Sequence, residues 1–321
     1  MLEGNVLITG GSGFLGRGII AHARAQGWPC GFTVYSRNEH QQAECRRKLA
    51  SVDSRVHYVL GDVRDTDRLA LVMSGHDTVI HAAAMKSIPQ AELNAAECVS
   101  VNVDGARSVI DASRAAGVRR VVGVSTDKAA QPVNIYGMTK AVMERLFTDA
   151  SLMAPDSTQF TTCRYGNVIG STGSVVPIML EQAERDHRIT LTDPNMTRFW
   201  MSIGQAVETV AYATTAIPGS VVIPFPRSAT MRAVGAAVQE IAGEDAHHVD
   251  VIGRRPGEKM HEDLVSAYER LRVITVPQGY MVMLPPGNED YANELPTISS
   301  DTAERVAHHE LVRWIQDSVN V

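Results

Sequence analysis

The sequence predicts an α/β protein, a doubly wound parallel sheet with a smaller C-terminal lobe. Short runs rich in valine and isoleucine alternate with longer helical stretches through the first half of the chain. A glycine-rich turn, Gly10 to Gly16, follows the first of these runs. After about Arg164 the alternation breaks and Gly, Pro and Ser become frequent, as in Gly170-Ser171-Thr172-Gly173-Ser174 and Pro285-Pro286-Gly287.

Taken in order, Val6 to Ile8 reads as the first strand, and a helix follows the glycine turn through Ala25. Phe32 to Tyr35, Val56 to Leu60, Thr78 to His81, Val121 to Val124 and Phe160 to Arg164 are the next five strands. Helical segments at Val99 to Ala115 and Tyr136 to Ala150 lie between them. The strands are apolar throughout, as expected where helices cover both faces of a sheet. Val221 to Phe225 returns to the same sheet. The expected division is therefore 1–165 plus about 205–225 in the main domain, and 166–204 with 226–321 in the lobe.

Composition removes several classes of function. The net charge of -6 argues against general nucleic-acid binding, which wants a basic face. No apolar run approaches the roughly 20 residues of a membrane span, and the N-terminus does not read as a signal peptide. The four cysteines, Cys30, Cys45, Cys98 and Cys163, are scattered and read as reduced thiols of a cytoplasmic protein. The pairs His247-His248 and His308-His309 do not share a helix face, so no metal site is expected.

Thr9-Gly10-Gly11-Ser12-Gly13-Phe14-Leu15-Gly16 sits between a strand and a helix. Glycines at 10, 13 and 16 allow a tight turn, close approach to a pyrophosphate and packing of helix on strand, the Rossmann dinucleotide pattern. The second strand ends in Tyr35-Ser36-Arg37. An acidic residue there would hold the ribose hydroxyls of NAD, whereas Ser36 and Arg37 suit the 2′-phosphate of NADP, with NAD the alternative. Asp62-Val63, after the third strand, lies where such folds touch adenine.

The fifth strand delivers Ser125-Thr126-Asp127-Lys128, and a loop leads to Tyr136-Gly137-Met138-Thr139-Lys140. Tyr136 and Lys140 share a helix face. An ammonium and a cationic nicotinamide would lower the phenol's pKa from ≈ 10, so that it takes a proton from a sugar hydroxyl as hydride leaves the same carbon. Thr126 can hydrogen-bond the same oxygen. Oxidation or 4-epimerisation needs only these three residues. Asp127 and Lys128 point to a second step: a ketone at carbon 4 of a hexose acidifies carbon 5, Lys128 removes that proton, and Asp127 helps the 6-hydroxyl leave. A loop-holding ion pair is the alternative for these two.

These residues resemble the short UDP-N-acetylglucosamine 4,6-dehydratases that invert carbon 5, a polysaccharide-biosynthesis branch of the extended short-chain dehydrogenase/reductases. The resemblance runs from about residue 4 to about 285. It rests on Gly61-Asp62-Val63-Arg64-Asp65, His81-Ala82-Ala83-Ala84-Met85-Lys86, Asn102-Val103, Ser125-Thr126-Asp127-Lys128-Ala129, and Pro132 through Lys140. Arg164-Tyr165-Gly166-Asn167-Val168, Met196-Thr197-Arg198-Phe199-Trp200, and Arg255-Pro256-Gly257-Glu258-Lys259 with His261-Glu262 complete it. It implies that Asp127, Lys128 and Tyr136 carry the chemistry with Lys140 in support. Ala82, Ala83, Ala84, Lys86 and Asn102 would lie along the cofactor. Lys86, Asn167, Ser174, Val175, Arg198, Arg255 and Glu258 would line a UDP-sugar, Arg198 and Arg255 beside its pyrophosphate. It also implies a homo-oligomer, dimer or hexamer. Tyr136 separates the chain from larger membrane-anchored relatives, which usually carry methionine there. Departures are the Gly-Ser-Gly-Phe-Leu-Gly loop and Ser87, Ala95 and Thr172, where the family usually has histidine, proline and arginine. A UDP-sugar 4-epimerase and a non-catalytic NADP-sensing or scaffold protein stand as alternatives.

Overall fold

A computed structural model describes residues 1–49, 55–155, 157–243, 248–288 and 298–319. His247 of the first histidine pair lies outside them. The first half runs β1 (Gly4–Thr9), α1 (Phe14–Ala25), β2 (Cys30–Ser36), α2 (Glu39–Lys48), β3 (Val56–Leu60), α3 (Thr66–Met73) and β4 (Thr78–His81). It continues with α4 (Ile88–Leu93), α5 (Ala95–Val99), a turn of π-helix (Ser100–Asp104), α6 (Gly105–Ala115) and β5 (Arg120–Val124). A short 3₁₀ turn (Asp127–Ala129), α7 (Ile135–Met153) and β6 (Gln159–Cys163) close it.

The second half comprises β7 (Asn167–Val168), α8 (Val175–Asp186), β8 (Arg188–Leu191), β9 (Thr197–Met201), α9 (Ile203–Ala213), β10 (Val221–Pro224) and β11 (Arg227–Thr230). Then come α10 (Met231–Ala242), β12 (His248–Val251), β13 (Asp263–Val265), β14 (Val273–Val276), β15 (Tyr280–Met283), β16 (Ile298–Ser299), β17 (Glu304–Arg305) and α11 (His308–Ser318).

Nine strands form the main sheet in the order β14-β15-β10-β6-β5-β4-β1-β2-β3. From β3 to β10 every pairing is parallel. Alternation along β1 explains how the layers form. Val6 and Ile8 point to the side covered by Ile19 and Ile20 of α1 and Val207 of α9. Leu7 points to the other side, against Leu69 of α3, Val109 of α6 and Phe147 of α7. Strand order reverses between β1 and β4, and such a switch opens a crevice at the carboxyl ends of the strands. The glycine loop after β1 and Ala82 to Ala84 after β4 both sit at that reversal.

A separate core holds the lobe together. Val176 and Met179 of α8, Trp200 of β9, Val234 and Val238 of α10, and Leu311, Trp314 and Ile315 of α11 share it. One stretch differs from the sequence expectation. Residues 273–283, expected in the lobe, form the β14–β15 hairpin, and β15 runs antiparallel to β10. The hairpin covers what would be the bare edge of β10, a cheap way to satisfy its free backbone groups. Among the described residues no helix is long and apolar enough to cross a membrane.

Candidate active site

At the crevice Gly10 has φ +67°, and a Cβ there would stand 2.8 Å from the backbone of Ala83. Only glycine allows this turn to lie against the β4 loop. Gly13 caps α1 without a side-chain cap bond to the helix's first amides, the arrangement that suits an anion at a helix N-terminus. Phe14 and Gly16 are buried under the loop, and Leu15 packs on the sheet core. Ala82 and Ala83 are tied to Thr9 by amide hydrogen bonds of 3.1 and 3.3 Å, with half-buried Ala84 beside them. This cradle, which a Cβ would fill, fits a dinucleotide.

The adenosine end of that path is more crowded than the sequence suggests. Ser12 donates to Ser36 Oγ at 3.0 Å, and Gln42 donates to the same oxygen at 3.0 Å. Arg37 is exposed, with Nη1 3.8 Å from Glu97 Oε1. Asp62 does not present a free carboxylate: Arg64 grips both its oxygens at 2.9 and 2.7 Å. That hydrogen bonding holds the Asp62 carboxyl below the usual range. Val63 is buried in the core that holds Leu69 and Val109. Arg64 also meets Glu97 at 3.2 Å, so the two arginines share one carboxylate. Asn102, on the π-helical turn, is fully buried and spends its amide on the protein. Its Oδ1 accepts from Met85 N at 2.8 Å, and its Nδ2 donates to Met85 O and Thr139 Oγ1 at 3.0 Å each. It anchors the β4 loop to α7 and has no amide group left for a cofactor.

The chemical centre is built by the 3₁₀ turn and the start of α7. Asn134 caps α7, its Oδ1 accepting from Gly137 N at 2.8 Å. Its Nδ2 reaches across to Gly257 O at 3.0 Å, into the Arg255–Glu258 turn. A Cβ on Gly137 would collide with Lys128 O, so glycine there lets α7 start against the 3₁₀ turn. Asp127 is 0% exposed, and its Oδ1 accepts from Thr126 Oγ1 at 2.9 Å and Lys128 Nζ at 3.0 Å. The Lys128 side chain is 16% exposed, so neither residue is turned out into solvent. Burial pulls the Lys128 ammonium down, but the Asp127 and Glu262 carboxylates outweigh it and the net direction is up.

Tyr136 and Lys140 depart from the expected electrostatics. Burial pushes the phenol up to about 12, against the pull of the Lys128 ammonium and the Thr126 hydroxyl. The cation that acts on it is Lys128. Lys140 is buried, donates to Val124 O at 2.8 Å, and is lowered by burial to about 8. Desolvation thus outweighs the Lys128 charge at Tyr136.

Among the described residues, Asn167 Oδ1 and Ser174 Oγ are buried with no hydrogen-bond partner, as are Asp127 Oδ2 and Glu262 Oε2. Buried polar atoms left without partners are rare and mark places where a ligand can bond. Half-buried Val175 opens α8 beside Ser174. Lys86 is exposed and donates to Thr172 O at 2.8 Å, spanning the cleft between domain and lobe. Arg255 is exposed, with its backbone N on Glu258 Oε2 at 3.3 Å. Arg198 corrects the expectation for it. It is buried, and its guanidinium donates to Thr197 O at 2.7 Å, Lys259 O at 2.9 Å and Met260 O at 3.3 Å. It braces the 255–262 loop from behind.

Glu262 was visible in the sequence only as part of a motif. It is 3% exposed, and its Oε1 lies 3.8 Å from both Lys128 Nζ and Arg198 Nε. A second buried cluster lies behind the 3₁₀ turn. Arg164, 1% exposed, donates to Glu144 Oε1 at 2.9 Å and to Glu269 at 2.7 and 3.0 Å. Ser125 donates to Glu144 at 2.5 Å. A cavity of about 240 Å³, lined by Trp200, Phe225 and Tyr280 among others, contains none of the candidate site residues.

Comparison with known proteins agrees with this geometry. A UDP-N-acetylglucosamine 4,6-dehydratase (inverting) from Campylobacter jejuni is 40% identical over 265 residues, 82% of this chain and 78% of that protein. A UDP-glucose 4-epimerase from Rickettsia prowazekii is 33% identical over 301 residues, 92% of this chain and 87% of that one. The crystal structure of Pen from Bacillus thuringiensis superposes with a TM-score of 0.90 at 33% identity, covering 99% of this chain and 98% of Pen. The polysaccharide biosynthesis protein family matches residues 6–284. With that span and those identities, on the Rossmann sheet of the extended short-chain dehydrogenase/reductases, the chain belongs to the polysaccharide biosynthesis protein family.

Proposed function

We propose that this protein is an NADP-dependent hydro-lyase acting on UDP-N-acetylglucosamine. Its product is a UDP-2-acetamido-2,6-dideoxy-4-hexulose, inverted at carbon 5. The observation that carries this reading is the buried Asp127–Lys128 pair beside the Tyr136 phenol. The name of the C. jejuni relative supports it. The second reading, 4-epimerisation, is favoured by the name of the R. prowazekii relative. Epimerisation leaves that buried pair without a task.

A dinucleotide held by the Gly10–Gly16 loop and Ala82 to Ala84 would supply the reversible hydride chemistry between carbons 4 and 6. The chain's own residues do the rest. Thr126 holds the 4-hydroxyl, and Tyr136 takes its proton as the ketone forms. Lys128 removes the carbon-5 proton, and Asp127 passes a proton to the departing 6-hydroxyl. Arg255 offers an exposed guanidinium to the pyrophosphate.

Incubation with UDP-N-acetylglucosamine in deuterated water, followed by NMR, tests the reading. A 6-deoxy-4-keto product with deuterium at carbon 5 is expected. A carbon-4 epimer, or no turnover, overturns it. Tyr136→Phe is expected to slow ketone formation by about 10²–10⁴-fold while titration calorimetry shows unchanged NADP binding. Ser36 and exposed Arg37 at the end of β2 favour NADP over NAD. Arg37→Ala is expected to weaken NADP by about tenfold or more, one charged hydrogen bond's worth, and to leave NAD affinity unchanged.

A further inference from the structure

The chemistry proposed above needs Lys128 as a free amine, yet the resting protein sets it between two carboxylates. We infer that Glu262 is the proton acceptor of Lys128, a positioning residue that converts its ammonium into the reactive amine. This inference rests on the dehydratase reading for its chemistry, although the Glu262–Lys128 coupling is measurable without it.

Geometry separates Glu262 from the carboxylates that only hold the fold. Glu144 and Glu269 are saturated by close hydrogen bonds from Arg164. Glu262 is just as buried, yet among the described residues its nearest cations, Lys128 and Arg198, stand off at 3.8 Å, and its Oε2 has no hydrogen-bond partner. A buried carboxylate left so short of donors is costly as an anion and receptive to a proton. Burial accordingly raises the Glu262 carboxyl, against the pull of Lys128. Its backbone is fixed on both sides by Ser300: Glu262 N donates to Ser300 Oγ and Ser300 N donates to Glu262 O, each at 2.8 Å. The other groups acting on Lys128 are Asp127 of its own turn, Arg198 of β9 and Tyr136 of α7, while Lys259 acts on Glu262.

The proton count closes with solvent water as the only other proton carrier. A Lys128 Nζ–H bond breaks and an O–H bond forms on Glu262, leaving an amine and a carboxylic acid. The amine takes the carbon-5 proton and becomes ammonium. That ammonium passes a proton along the 3.0 Å bond to Asp127, which delivers it to the 6-oxygen as water leaves. Lys128 is then an amine again and Asp127 a carboxylate. As hydride returns to carbon 6, carbon 5 takes a proton from solvent while Tyr136 releases the 4-hydroxyl proton to solvent, and Glu262 returns its proton to Lys128 at the end of the cycle.

Glu262→Gln keeps the shape and removes the acceptor. The wild-type kcat for dehydration is expected to be flat from neutral to mildly alkaline pH. The Gln variant is expected to be slower by about 10²–10⁴-fold at neutral pH and to regain about tenfold per pH unit, because Lys128 must then lose its proton to solvent. Glu262→Asp, which keeps an acceptor, is expected to restore the flat profile. A Gln variant that is slow but flat assigns Glu262 a structural role and overturns the inference.

A second readout does not use turnover. NMR of the holoenzyme labelled with ¹³C at lysine Cε, with the Lys128 signal identified by its loss in Lys128→Arg, is expected to show Lys128 ionising at lower pH in the Gln variant. An unchanged titration overturns the coupling. Absence of a keto product from the wild-type enzyme, with the titration shifted, instead defeats the dehydratase reading and leaves the coupling standing.

Discussion

Lys128→Ala is expected to abolish dehydration while NADP still binds. In the proposed reaction this side chain is the carbon-5 base, and loss of a positioned general base costs about 10²–10⁴-fold. Ketone formation uses Tyr136 and Thr126 and loses only the Lys128 charge that pulls the phenol down, so nicotinamide reduction is expected to slow, persist and stall. Rapid-mixing absorbance of the reduced nicotinamide, read beside NMR of the products, separates the two steps. A variant that still releases the 6-deoxy-4-keto sugar at near wild-type rate removes Lys128 from the chemistry. A stability loss of about 3–5 kcal/mol should accompany the change, because buried Asp127 and Glu262 lose the cation between them.

Arg164→Ala is expected to be the most damaging change outside the chemical centre. It leaves Glu144 and Glu269 facing each other without a counter-ion, at a cost of about 3–5 kcal/mol in urea unfolding at neutral pH. The pH dependence has a definite sign. Burial alone would raise the Glu269 carboxyl, but the Arg164 charge and hydrogen bonds win and hold it at about 2, against an ordinary 4.5. Its stabilising contribution is therefore complete above the ordinary value and is lost as pH falls from there through about 2. The gap between wild type and variant should narrow across that acid range. A gap that stays constant with pH means the loss comes from the cavity left by the side chain rather than from charge.

The parallel sheet was legible in the sequence because each strand is a compact apolar run bounded by a turn, and the β3 and β4 boundaries match residue for residue. The β14–β15 hairpin was not. Its two four-residue strands surround a turn ending at Gly279, φ +81°, inside a stretch rich in turn residues. Only the vacant edge of β10 makes them strands. Residue types marked the site well where neighbours in sequence are neighbours in space, as in Thr126-Asp127-Lys128. Glu262 comes to Lys128 from far along the chain, so local sequence gives no sign of their contact. Asn102 and Arg198 carry the right groups for ligands, but sequence cannot show that their hydrogen bonds are already spent on Met85 and on the 259–260 carbonyls.

Asn134 has one further consequence. A single amide side chain both starts the helix that bears Tyr136 and Lys140 and grips the turn that bears Arg255 and Glu258. Whatever tugs on that turn also tugs on the root of the helix. In the proposed reaction, grasp of the nucleotide tail and placement of the reactive phenol are linked through this one side chain. A hexose stripped of its nucleotide would forfeit speed as well as grip, its remote handle being part of the lever that sets the phenol in place.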